Sequence, residues 1–191
     1  MQKKCRVIAV TAPSGAGKTT IIKYLLNKFP ALTFSVSATT RAPREGEING
    51  KDYHFLPKEV FLEKIKNNEF LEWEEVYEGL FYGSLKSEVI KNCDSGKITL
   101  FDVDVHGAMN IKSHYGEEAF VLFVKPPSLE ILIKRLTNRQ TEDISSIEKR
   151  VARMKYEMSF ETKFDHDLLN DELKTARTEA EKIISDFLKK S

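Results

Sequence analysis

Ala12-Pro13-Ser14-Gly15-Ala16-Gly17-Lys18-Thr19 lies between an unbroken apolar run, Val7-Ile8-Ala9-Val10, and the apolar residues Ile21, Ile22, Leu25, Leu26 and Phe29, which repeat at helical spacing until Pro30 stops them. The run is what a strand buried on both faces shows, and the repeat is the inward stripe of a helix. A strand, a glycine-rich turn and a helix in that order make a cradle for phosphate. Small residues let consecutive backbone N–H groups wrap the anion at the helix N-terminus. The stretch fits G-x-x-x-x-G-K-[ST] at every position but the first, where Ala12 replaces glycine. In that pattern the lysine, Lys18, places a point charge on the β and γ phosphates, and the Thr19 hydroxyl is a ligand of Mg²⁺. Ala12 has a Cβ, so a positive φ there would be strained. The competing reading is a glycine-rich turn with an exposed lysine.

Further along, strand and helix signals alternate. Leu32, Phe34 and Val36 alternate with Thr33, Ser35 and Ser37 as a half-buried strand, and residues 38–53 turn polar and basic. Val60, Phe61 and Ile65 suggest a short helix, Phe70 to Val76 a strand, and Gly83-Ser84 the opening of a helix containing Leu85 and Val89. Ile98 to Val103 is a second apolar strand that ends in acid at Asp102 and Asp104, and Phe120 to Val124 is a third, stopped by Pro126-Pro127. Leu129, Leu132, Ile133 and Leu136 predict a core-facing helix capped by Ser128. Thr137 to Ser146 is polar and aperiodic. Ser145 and Glu148 form a capping-box pattern before a helix facing inward through Ile147, Val151, Met154 and Met158. A short strand at Leu168-Leu169 precedes a last helix built on Leu173, Ala176, Ala180, Ile183 and Phe187. This alternation predicts an α/β fold with a parallel sheet covered on both faces, the two polar stretches being insertions at its edge.

A chain of 191 residues is one domain with room for insertions, large enough to fold without disulfide or metal. Hydrophobic residues at 41%, charged residues at 31%, and only 9 Gly and 6 Pro exclude collagen-like and largely disordered classes. The formal net charge of +1 argues against nucleic acid or a membrane as partner, so any basic site is local. Cys5 and Cys93 have no metal-ligand spacing, and we expect neither a disulfide framework nor zinc, which points to a reducing cytoplasm. The N-terminal apolar run breaks at Pro13 and Gly15, too soon for a signal peptide, and Ala119 to Val124 is too short to span a bilayer.

Two more constellations bear on chemistry. Asp102, at the end of a buried strand, supplies the second acid that a nucleoside triphosphate site needs for its metal, although acids at strand ends also serve as turn or helix caps. Ser37-Ala38-Thr39-Thr40-Arg41-Ala42-Pro43-Arg44-Glu45-Gly46-Glu47 precedes Asn49-Gly50-Lys51-Asp52-Tyr53. Two arginines separated by a proline suit a dianionic phosphate, with Tyr53 as a further donor; a solvated basic loop fits the same residues.

Ser37 to Arg44, Asn49 to Tyr53, Asn68-Glu69-Phe70-Leu71-Glu72-Trp73 and Tyr82-Gly83-Ser84, with the phosphate loop, closely resemble guanylate kinase. So do Asp102-Val103-Asp104 with Gly107, Pro126-Pro127-Ser128, the stretch from Arg135 to Arg150, and Asn170-Asp171, and the resemblance therefore covers nearly the whole chain. It implies a three-layer P-loop NTPase fold with a central parallel sheet, an inserted GMP-binding subdomain at 38–90 and a small lid at 137–155. The core would be residues 1–37, 91–136 and 156–191. It implies that Arg41, Arg44, Tyr53 and Tyr82 hold the GMP phosphate, and that Ser37, Glu72, Ser84 and Asp104 surround guanine. ATP would lie on the phosphate loop through Thr20, with Asn170 near adenine. Arg139 and Arg150, with Arg135, would close over the phosphoryl group, and Thr19 and Asp102 would serve Mg²⁺. Guanine offers a ring N–H and an exocyclic amine side by side, which one carboxylate accepts together; adenine has no such pair. Glu72, between Leu71 and Trp73, is expected in apolar surroundings, with an edge-strand surface glutamate as the alternative. Ser84 fits a helix N-cap as well as a base contact. His106 and Gln140 stand where the family usually has Gln and Gly, the second expected to stiffen the lid.

The resulting expectation is a cytoplasmic kinase that moves the γ-phosphoryl of MgATP to GMP. Its catalytic residues would be Lys18, Arg41, Arg139 and Arg150, and its partners nucleotides alone. The rival is a guanylate-kinase-like interaction module that has lost phosphoryl transfer, against which Lys18, Thr19, Arg139 and Arg150 all argue. Oligomeric state is not legible in the sequence.

Overall fold

The structure, a computed structural model, describes residues 5–128, 130–131 and 144–190, with side chains for all of these except 144–150. Strand β1 (Val7–Thr11) is buried at all five positions, and helix α1 (Lys18–Lys28) follows the turn, burying Ile21, Ile22 and Leu25. Then come β2 (Leu32–Phe34), β3 (Ala38–Thr39), β4 (His54–Phe55), α2 (Lys58–Lys66), β5 (Phe70–Tyr77), β6 (Leu80–Leu85) and α3 (Lys86–Asp94). The chain continues through β7 (Ile98–Asp102), α4 (Val105–Tyr115), β8 (Ala119–Lys125), α5 (Ile144–Met158), β9 (His166–Leu169) and α6 (Leu173–Lys189).

Five strands form a parallel sheet in the order β2-β7-β1-β8-β9. Alternation along β1 divides the core between two layers. Ile8 and Val10 pack with Ile21 and Leu25 of α1 and Ala176, Ala180 and Ile184 of α6; Val7 and Ala9 pack with Val89 of α3 and Ala108 and Ile111 of α4. Burial on both faces is why β1, β7 and β8 read as continuous apolar runs. The register sets Val10 beside Asp102 and Thr11 beside Phe123, so the carboxyl ends of these strands, where the chain turns into the phosphate loop, share one edge.

Residues 38–85 build a second sheet, β4-β3-β6-β5, around Phe61 stacked on Phe70 with centroids 4.3 Å apart. Here several sequence expectations need correction. Gly83 and Ser84 do not open a helix but lie in β6, and α3 starts at Lys86 with Leu85 as its N-cap, so Ser84 is not the cap. The strand signal there is the aromatic run Phe81-Tyr82. Gly83 is needed there, because a Cβ would come within 2.8 Å of the Glu72 carbonyl oxygen and the Phe70 ring. The polar stretch at 38–53 opens with β3 and is followed directly by β4, and β2 ends at Phe34 rather than continuing through Val36. Helix α5 begins at Ile144, one residue ahead of the cap expected at Ser145. Ser128 Oγ does accept from Ile131 N–H, as an N-cap would; the rest of that expected helix lies outside the described residues.

The cysteines also depart from expectation. Cys5 and Cys93 are joined as a disulfide, with Cα atoms 5.4 Å apart across 88 residues of sequence. Sequence spacing could not reveal this, because the pair forms only once α3 packs through Val89 against Val7 at the start of β1. Among the described residues no helix is long and apolar enough to cross a membrane.

Candidate nucleotide site

The phosphate loop owes its shape to glycine at two places, Gly15 with φ 87° and Gly17 with φ 93°. Ala12 does not have a positive φ, and it is buried in the core beneath the loop, so the expected strain does not arise. From behind, the buried Asn170 donates through Nδ2 to Ala16 O at 2.7 Å, while its own N–H donates to Lys125 O. The residue expected beside adenine therefore fastens the loop's backbone. A Cβ on Gly17 would overlap Asn170 Nδ2 as well as forcing a positive φ on a non-glycine residue. Gly17→Ala is expected to cost about 1–3 kcal/mol of stability and to weaken nucleotide binding, measurable as a lower Tm and a smaller Tm rise on adding MgATP.

Lys18 Nζ donates to Val103 O at 2.8 Å and pairs with Asp102 Oδ1 at 2.5 Å. Both side chains remain partly exposed. Ser14, Thr19 and Thr20 are exposed, and α1 has no acid in its first turn to compete with an anion at its N-terminus. The loop lines a cavity of about 630 Å³. Tyr77 from β5, Asp104, and Arg153 and Glu157 from α5 line it as well. Met154 buries itself in the cluster containing Ala12 and Ala16, which docks α5 beside the loop. Glu157, itself buried, accepts from Ser14 N–H at 3.3 Å and from Arg153 Nε at 3.1 Å.

A smaller cavity of about 160 Å³ lies between the two sheets, lined by Ser37, Tyr53, Glu72, Glu74, Tyr82, Gly83 and Asp102 to Asp104. Asp104 lines both cavities. It is the N-cap of α4, accepting from Gly107 N–H at 2.8 Å. Glu72 pairs with Ser84 and Glu74 with Tyr82 across β5 and β6. Burial pushes the Glu72 carboxyl up to about 7; Asp104 adds to the rise and Ser84 opposes it. The apolar surroundings expected of Glu72 do not come from its sequence neighbours. Leu71 and Trp73, one residue to either side, point to the other face of a strand, and Trp73 is 46% exposed. What encloses Glu72 is Ser84 across the ladder and the turn into α4, where a Cβ on Gly107 would stand 3.2 Å from Glu72 Oε2. Burial and the neighbouring Asp104 also raise Glu74, and Arg153 counteracts them.

Arg41, which is not among the residues lining this cavity, makes a two-pronged pair with Glu47, both N–O distances being 2.8 Å, and its guanidinium lies over the ring of Tyr53, which is. The arginine's pKa rises through this pair, and the same contact with the Arg44 N–H holds Glu47 down to about 2. Glu47 also accepts from Arg44 N–H at 2.7 Å, while the Arg44 side chain is exposed and is not part of the cavity lining. Three residues here carry no motif in the sequence. The only signal for Glu47 is a carboxylate six residues after Arg41, and for Arg153 and Glu157 an i, i+4 pair of opposite charge flanking the inward-facing Met154. Of the arginines expected on the lid, Arg135 and Arg139 lie outside the described residues, as do Gln140 and the side chain of Arg150.

The family described as guanylate kinase matches residues 4–187. The chain belongs to the guanylate kinase family. It is 49% identical over 185 residues to the guanylate kinase of Bacteroides fragilis, covering 97% of this chain and 91% of that one. Against the guanylate kinase of Salinibacter ruber the identity is 47%, covering 95% and 96%. The crystal structure of guanylate kinase from Anaplasma phagocytophilum superimposes with a TM-score of 0.74 at 29% identity, covering 100% of this chain and 90% of that one. The protein is thus a P-loop enzyme of the guanylate kinase family, an ATP-dependent nucleoside-monophosphate kinase acting on GMP.

Proposed function

We propose that the larger cavity takes ATP and the smaller one GMP, and that the γ-phosphoryl group crosses between them past Lys18. The observation that carries this assignment is the meeting of the cavities at Asp104, with the Lys18–Asp102 pair at the junction. Ala12 to Thr20 cradle the donor phosphates, and Lys18 exchanges its pairing with Asp102 for the β and γ phosphates. Ser37, Glu72, Ser84 and Asp104 surround guanine, with Glu72 accepting from its ring N–H and amine. Arg41, Arg44, Tyr53 and Tyr82 hold the acceptor phosphate, Arg41 being poised by Glu47 in the orientation of its fork.

The acceptor phosphate is already an anion at neutral pH, so its oxygen needs no general base. The protein's contribution is in-line placement and charge neutralisation by Lys18, Arg41, Arg139 and Arg150, with Arg135 on the donor side. Asp102, paired with Lys18 of the phosphate loop, and the exposed Thr19 hydroxyl both offer oxygen, the donor that suits a hard cation such as Mg²⁺. When bound with ATP, that ion would neutralise charge on the β and γ oxygens. We assign residues 38–90 to the acceptor site and 137–155 to a lid whose closure excludes water from the phosphoryl group. The enzyme's place is the cytoplasm, where its nucleotide substrates are; the Cys5–Cys93 pair removes the thiol argument for that placement.

The test is ADP release from MgATP by the purified protein with GMP, AMP, UMP, dTMP or no acceptor. Turnover with GMP and little with the others is expected. Folded protein inactive with every acceptor would overturn the reading in favour of a binding module.

A further inference from the structure

Arg153 is an arginine in this molecule that neither the phosphate loop nor the acceptor motifs account for, and it stands where three parts of the fold meet. Its Nε donates to Glu157 Oε1 at 3.1 Å, and Glu157 in turn holds Ser14 N–H of the phosphate loop. Its Nη2 stands 3.9 Å from a Glu74 carboxylate oxygen on β5 and 3.9 Å from Asp104 Oδ2 at the head of α4. A continuous polar path therefore runs from the phosphate loop through Glu157 and Arg153 to the sheet that carries the acceptor cavity. Its two ends differ in tightness. The Glu157 end is a hydrogen bond to a buried carboxylate, whereas 3.9 Å is beyond hydrogen-bond length, so the Glu74 and Asp104 contacts have room to shorten.

We propose that Arg153 is a positioning residue that couples the two nucleotide sites, so that GMP in the acceptor cavity tightens binding of the donor nucleotide and the reverse. The proposal rests on the donor and acceptor assignment above. A ligand that draws β5 towards the core brings Glu74 onto the guanidinium. Because that group is planar and rigid, a stronger contact at Nη2 fixes Nε on Glu157, and with it the carboxylate that holds Ser14. An anion on the phosphate loop acts along the same path in the opposite direction, as linkage between binding sites requires. Lysine in place of Arg153 would keep the charge but lose the fork that joins the two contacts.

Calorimetry with the β,γ-methylene analogue of MgATP, titrated into free protein and into protein saturated with GMP, gives the coupling as a ratio of two dissociation constants. In the wild type the ratio is expected to be roughly tenfold, within the range usual for coupled sites. Arg153→Ala should reduce it to less than about twofold, Arg153→Lys should leave an intermediate value, and Glu74→Gln should reproduce the alanine effect. The double variant Arg153→Ala/Glu74→Gln should lose no more than either single one, as for two members of one path. A merely structural role for Arg153 would weaken both constants and leave their ratio unmoved, and that result would overturn the proposal. So would a wild-type ratio near one. Failure of either nucleotide to bind wild-type protein on its own would overturn the kinase assignment and the coupling with it. Both binding singly, with a ratio insensitive to Arg153, would overturn the coupling alone.

Discussion

Lys18→Ala is expected to lower turnover of MgATP with GMP by roughly 10³-fold or more while the protein stays folded. Phosphoryl transfer leaves an enzyme little covalent work, so removing a fixed cation from the path of the developing charge removes a large share of catalysis. The fold should tolerate the change. Asp102 would lose its partner, but its side chain is 27% exposed and water replaces much of the pairing. Steady-state kinetics beside a thermal melt separate the two effects. A variant that turns over within tenfold of wild type would remove Lys18 from the chemistry, and one that fails to melt cooperatively would show that its contacts with Asp102 and Val103 are structural instead.

Glu72→Gln should lower kcat/KM for GMP by about 10²–10⁴-fold and erode the preference for GMP over AMP. The amide turns a donor towards guanine's donors and leaves a buried polar group mispaired. The wild-type pH profile should carry the signature of the same residue. Burial pushes its carboxyl up to about 7 from the usual 4.5, and only the ionised form accepts both guanine donors. Affinity for GMP therefore rises with pH through about 7 and levels off above it. In the glutamine variant this limb should vanish, leaving the second ionisation of the GMP phosphate near pH 6. Stability moves in the opposite sense. A carboxyl with a raised folded pKa holds its proton more tightly when folded, so its contribution is full below about 4.5 and is lost as pH rises through about 7. Glu72→Gln should accordingly raise Tm at pH 8 and leave it nearly unchanged at pH 4.5. An equal shift at both values, or unchanged discrimination between GMP and AMP, would show that Glu72 does not read the base.

Arg41 illustrates how a folded site differs from the same residues along the chain. Its sequence neighbourhood advertises a phosphate ligand, yet in the folded protein both prongs of the guanidinium engage Glu47. An incoming phosphate has to compete with a carboxylate already in place. The same carboxylate keeps the side chain, with its many rotamers, in one orientation beside Tyr53 and Tyr82. Lys18 follows the same pattern with Asp102. In both cases an acid occupies the charge that the proposed chemistry uses.

What this sequence determines by itself is whatever depends on neighbours along the chain. The strand, turn and helix around Gly17 and Lys18, the burial of β1, β7 and β8, and the inward faces of α1 and α6 follow from apolar spacing and from glycine's freedom at positive φ. The guanylate kinase resemblance was legible too, because its motifs are short contiguous runs. What only the tertiary structure decided depends on residues far apart in sequence. β6 has its place through the aromatic pairing of its hairpin with β5 and the close approach at Gly83, neither of which is a periodic signal. Glu72 is enclosed by β6 and the turn into α4, not by Leu71 and Trp73. Asn170 reaches the phosphate loop across 154 residues, Glu157 reaches it across 143, and Cys93 meets Cys5 across 88. Periodicity reports which face of an element is buried, but not which element arrives to bury it; packing settles that, and with it which charges meet at the nucleotide site.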